Sequence, residues 1–241
     1  MQIRPVPLCA LAGILAWAAS GRAQTRAENT SRAIVAPVEQ YLMDRDAEIA
    51  LARSAAPAAI SRDASVLVLG RQGYETAVQG KNGFVCAVER SWMSAFEDPQ
   101  FGNTKERAPI CYNPVAARSV VPILQLRTSA AFAGLSKEEF FGRIKTANAN
   151  HQLPALEPGA MAYMMGKHGY LNDAAITDDG AHNLAHIMFY TLPADSANWG
   201  ADLEGSPLYR VHGGEPMNIF LVLTGMWSDG TPASRKFAGG N

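Results

Sequence analysis

The chain reads as an α+β fold built on a mainly antiparallel sheet. Three observations lead there: two three-stranded runs of short apolar segments, an N-terminal helix pattern ahead of the first run, and two central helix patterns between the runs. The predicted order is α-βββ-αα-βββ, without an internal repeat or low-complexity segment.

The N-terminal helix is expected over Tyr41 to Ala55. Leu42, Ile49 and Leu51 recur with Ala47, Ala50 and Ala52 among charged residues, and Pro57 stops the pattern. The period then shortens. Ser65 to Leu69, Tyr74 to Gln79 and Phe84 to Trp92 read as strands, separated by Gly70-Arg-Gln-Gly73 and Gly80-Lys-Asn-Gly83, turns whose glycines supply positive φ. These three predict an antiparallel meander in which Phe84, Cys86 and Val88 share one face. Met93 to Pro114 carries Pro99, Gly102, Pro109 and Pro114 with almost no periodicity, and predicts a long loop.

Residues 115–133 predict a helix broken at Pro122. Ser136 and Glu139 form the two ends of a capping box that opens a second helix to about Asn148. Three further strands are expected at Ala160 to Met165, Ala185 to Thr191 and Asn218 to Thr224, joined by loops rich in Asp, Gly and Pro.

The first residues have the layout of a secretion signal. Arg4 lies ahead of the apolar stretch Val6 to Ala18, and Gly21-Arg22-Ala23 offers small residues for cleavage after Ala23. That apolar stretch is too short to span a bilayer, and no later segment is long enough. Cys9 lacks a lipoprotein cleavage box before it. The organisation predicted is a signal peptide over 1–23, a flexible leader over 24–40 and one globular domain over 41–241, exported to the periplasm or secreted. Signal removal would take Arg4 and Arg22 from 21 basic residues that face 22 acidic ones, leaving a mildly acidic chain. Without a basic stripe, nothing neutralises phosphates, and nucleic acid is excluded as an expected partner. An oxidising destination predicts that Cys86 and Cys111, the two cysteines left after cleavage, are bridged. Their separation does not suit a C-x-x-C redox pair.

The constellation with most chemical content is His182-Asn-Leu-Ala-His186, preceded by Asp178 and Asp179. In a helix the two imidazoles would reach one zinc ion; in a strand they would stand roughly 13 Å apart and could not. A third ligand would have to come from His168, Asp173, Asp178, Asp179, His212 or Glu215. Asn183 stands where a zinc protease carries glutamate, which argues against that chemistry. No cofactor is expected otherwise, because a G-x-S-x-G elbow, a P-loop and a dinucleotide fingerprint are all missing. Cys86 with His186 as base would need a free thiol. Trp92, Trp199 and Trp227 read as core caps, or else as walls of a ligand cleft.

Several phrases together resemble a family of uncharacterised exported bacterial proteins: Val66-Leu-Val-Leu-Gly70, Asn82-Gly-Phe-Val-Cys86, Pro109-Ile-Cys111, Glu157-Pro-Gly159, Ala185-His-Ile-Met-Phe-Tyr190 and Trp227-Ser-Asp-Gly230, with Glu48 to Pro57 before them. The resemblance implies export and no particular activity. The family pattern has proline where this chain has Ala185, which makes His186 the better single candidate. Two functions remain open on the sequence: a non-catalytic binding or envelope-associated domain, or a small metal-dependent or histidine-based hydrolase using His186. The first predicts an exposed apolar patch near Trp199 or Trp227, the second a histidine and a carboxylate within hydrogen-bond reach.

Overall fold

The computed structural model describes residues 34–95, 97–192, 199–204, 206–211 and 217–234. The expected signal segment, the leader up to residue 33, and His212 and Glu215 lie outside them. Five helices and eight strands form an α+β fold, with the strands in a single mostly antiparallel sheet.

Helix α1 (Arg45–Arg53) begins four residues later than the periodicity suggests, because Asp44 caps it by accepting from the amides of Asp46 and Ala47 at 3.1 and 3.0 Å. Ahead of it Val38–Gln40 makes a 3-10 turn, and Val35 is already buried. A short α2 (Ala58–Ser61) follows Pro57. Strands β1 (Ser65–Gly70) and β2 (Gly73–Val78) form a hairpin, after which β3 (Val85–Glu89) runs parallel to β1 on its other side. The expected meander is therefore corrected: β3 pairs with β1 and not with β2. Gly73 and Gly83 do adopt positive φ, at 123° and 79°. Gly80 serves close approach instead, since a Cβ there would sit 2.1 Å from the Ser65 amide nitrogen.

The predicted loop from Met93 to Pro114 contains a buried central strand, β4 (Ala108–Tyr112), which pairs antiparallel with β3. Pro109 hid it. Its missing N–H is tolerated because Pro109 faces Val88 on β3, while β5 joins the other edge only at Cys111 and Tyr112. Cys86 and Cys111 are direct partners across β3 and β4 and are disulfide-bonded, with Cα atoms 3.9 Å apart.

Asn113 caps α3 (Pro114–Ser119), and the chain breaks at Val120 before α4 (Val121–Phe132), which holds Pro122 in its first turn, where no amide donor is missed. Helix α5 (Lys137–Ala149) carries the Ser136–Glu139 capping box as predicted. Then come β5 (Met161–Met164), β6 (His186–Thr191), β7 (Leu208–Val211) and β8 (Asn218–Leu223), giving the sheet order β2-β1-β3-β4-β5-β6-β8-β7. The edge strand β7, with one half-buried and three exposed residues, offers no apolar alternation and was not expected.

Strand alternation assigns the two faces. Val66, Cys86, Val88 and Cys111 pack with Ala52 and Ala55 under α1. The opposite face presents Leu67, Ala87, Ile110, Tyr112, Ala162, Met164, Met188 and Tyr190 to the residues of α3, Val120 and α4. Helix α5 packs Phe140 and Ile144 outside α4, together with Tyr41 and Trp92. Helix α4 gives Ile123 and Arg127, with Val120 ahead of it, to one wall over the β5, β6 and β8 part of this face.

Candidate functional site

Between this wall and the sheet there is a cleft of 280 Å³. Its floor is the alternating face of β5, β6 and β8: Met164, then His186, Met188 and Tyr190, then Ile219 and Leu221. The register makes this a lattice, with Met164, His186 and Leu223 in one row and Ala162, Met188, Leu221 and Tyr209 in the next. Val120, Ile123 and Arg127 form one wall, and the segment after β3, with Met93, Ser94 and Asp98, forms another.

Four ionisable groups are drawn into this apolar space. Glu89 is the last residue of β3 and keeps 9% exposure, Glu106 precedes β4 at 7%, Arg127 lies on α4 at 5% and His186 opens β6 at 8%. Tyr112 donates its hydroxyl to the Glu89 carboxylate. Burial pushes Glu89 up to about 7, against the hydrogen bond from Tyr112 and the charge of Arg127. Burial pushes Glu106 up to about 8, and the charges of Glu89 and Asp98 add to the rise. Among the described residues the Glu106 carboxylate has no hydrogen-bond or ion-pair partner. Burial also lowers Arg127 to about 10, with Glu89 and Tyr112 opposing. Its guanidinium is spent on backbone, donating from Nε to the Trp92 carbonyl at 2.8 Å and from Nη2 to that of Ser94, and it lies over the rings of Phe140 and Phe141.

His186 contacts the Leu184 carbonyl oxygen through Nδ1 at 2.6 Å. A carbonyl can only accept, so Nδ1 carries the proton. Burial lowers the imidazole pKa, although the bond to Leu184 works against it. The ring is therefore neutral near pH 7, with its Nε2 lone pair unpartnered among the described residues.

The two histidines have different carbonyl partners. Residues 182–185 are not helical, so the spacing that would bring both rings to one ion is not realised. His182 places Nδ1 3.0 Å from the Asn172 carbonyl and its ring against Tyr170, centroids 5.0 Å apart. Of the other expected ligands, His168 and Asp178 are exposed, Asp173 accepts from Tyr170 and from Lys105 at 3.3 Å, and Asp179 accepts from Thr177 and from Trp227 Nε1 at 2.8 Å. Among the described residues no three His, Cys, Asp or Glu gather as a zinc site would require. With Cys86 bridged, it offers no thiolate to His186.

Trp92 and Trp227 cap the core, each with a bonded indole N–H. Trp199 is 45% exposed and, with Leu156, Pro158 and Leu192, lines a shallow second cavity of 220 Å³. Sequence reasoning singled out His186 but missed Glu89, Glu106 and Arg127. The available signal was Glu89 itself, a charge at an alternating position of a strand that is buried on both faces.

Compared with protein-family models, curated proteins and solved structures, the chain matches none of them. No helix among the described residues is long and apolar enough to cross a membrane.

Proposed function

We propose that this is an exported, non-catalytic binding domain that takes a small molecule with an apolar body and a hydrogen-bond-donating head into the cleft beside α4. The observation that carries this reading is the unpartnered Glu106 carboxyl in an apolar pocket, next to a second buried carboxyl at Glu89. That carboxyl faces the open volume of the cleft, where a donor on the ligand can meet it. The sulfur and aliphatic lining suits the body, because methionine adapts its shape to what it touches. The disulfide and the resemblance to exported proteins support a periplasmic or secreted location, and the exposed patch around Trp199 suits an envelope-associated role.

The test is native mass spectrometry of the protein isolated from the periplasm, followed by a thermal-shift screen of small amines and alcohols with apolar bodies. We expect a retained small molecule, or a binder that raises the melting temperature and loses its effect in Ile123→Trp, which fills the cleft. A binder whose effect survives Ile123→Trp, or a screen without binders and no retained mass, would refute it. The hydrolase reading has one observation in its favour, the free Nε2 of His186. Its orienting carboxylate is not supplied, since the Leu184 carbonyl occupies Nδ1.

A further inference from the structure

We propose that His186, Met164 and Met188 form a binding site for one soft monovalent ion, Cu(I), on the floor of the cleft. Met164 and His186 are direct cross-strand partners on β5 and β6, which sets their Cβ atoms about 5 Å apart. Met188 follows His186 by two residues on the same face, about 7 Å along the strand. All three are buried, at 8%, 5% and 8% for His186, Met164 and Met188. A thioether on three rotatable bonds can close either gap and bring its sulfur to the Nε2 lone pair.

The histidine is prepared as a ligand prepares itself. Its Nδ1–H is held by the Leu184 carbonyl, which fixes the tautomer and leaves Nε2 as the basic nitrogen of a ring that lines the cavity, the arrangement that supports metal-bound imidazoles generally. Methionines filling space would be equally served by leucine, but leucine would bring no soft donor to an imidazole that lines the same cleft. Neutral imidazole and thioether donors select Cu(I) over harder ions, which need carboxylate or carbonyl oxygen. The two thiols of the domain, Cys86 and Cys111, are consumed by their bridge on the opposite face of the sheet. The inference does not depend on an organic molecule entering the cleft.

The experiment is anaerobic competition for Cu(I) against bicinchoninate, with ascorbate as reductant, on the full chain carrying Cys9→Ser. Its only remaining cysteines are the bridged pair. One equivalent of Cu(I) should be withdrawn from the chelator, and X-ray absorption should report both nitrogen and sulfur scatterers. Met164→Leu with Met188→Leu, near-isosteric changes that leave the core filled, should weaken the affinity about tenfold or more, as should His186→Gln. Met93→Leu and Met217→Leu, elsewhere on the cleft wall, should leave it within about twofold. Failure to compete, or an unchanged affinity in a Met164→Leu/Met188→Leu protein that still melts cooperatively, overturns the site.

Discussion

Glu48 and Glu106 are both carboxylates taken out of water, one on each side of the sheet, and their surroundings differ completely. Glu48 projects from α1 towards the sheet, where its neighbours answer it: the Leu69 amide donates at 3.1 Å and Arg90 Nη2 at 2.9 Å, while Arg90 also donates to the carbonyls of Tyr41 and Val88. Both ends of that ion pair are essentially inaccessible, at 0% and 1% exposure. Glu106 lies at the cleft, and among the described residues no donor meets it. Arg127, the cationic residue of the cleft wall, gives its hydrogen bonds to backbone. Complete packing and complete pairing go together under α1, whereas the cleft leaves polar groups facing open volume. The first arrangement is what a protein needs to hold together, and the second is what a ligand needs in order to bind.

The sharpest way to break this comparison is to remove one partner under α1. Glu48→Gln should cost about 3–5 kcal/mol in urea unfolding, because it leaves the Arg90 guanidinium buried with its charge uncompensated. A much smaller loss would mean that the pair is not the closed structural unit described. Slightly smaller is the expected effect of the cross-link on the same face. Replacing Cys86 and Cys111 by alanine opens a loop of 25 residues and should cost about 3.5 kcal/mol by chain entropy, read as a shift of the urea midpoint.

The cleft should behave in the opposite sense. Both of its carboxyls have folded-state pKa values raised above the ordinary 4.5, to about 7 for Glu89 and about 8 for Glu106. The native state then binds more protons than the unfolded chain between those limits. Stability contributed by these groups is therefore fully present below about pH 4.5, falls as pH rises, and levels off above about 8. Glu106→Gln should stabilise the domain at pH 8.5 by roughly 1–3 kcal/mol while changing little at pH 4.5, in thermal or urea melts at both values. A uniform loss at both pH values would show that Glu106 is paired after all.

How much of this was legible differs element by element. The cap at Ser136 and Glu139, the alternation that puts Phe84, Cys86 and Val88 on one face, and the pairing of Cys86 with Cys111 depend on residues a few positions apart or on the chemistry of two cysteines, and they were read from the chain directly. Strand β4 was not read, because the rule that proline interrupts strands depends on which edge of the strand is occupied, and that is set by β5, some fifty residues later. Likewise the hairpin signal at Gly80 to Gly83 is genuine turn chemistry, yet it cannot say that β3 will pass β2 and lie beside β1.

The same division runs through the candidate site. His186 stood out as a residue type at a strand start, and the sequence by itself determined its period-two relation to Met188. Its adjacency to Met164 and the gathering of Glu89, Glu106 and Arg127 were decided only by tertiary structure. The physical reason is that local sequence sets dihedral preferences, caps and alternation over a few residues. Burial of a charge, and whether it finds a partner, depends on which distant segments the sheet order brings together.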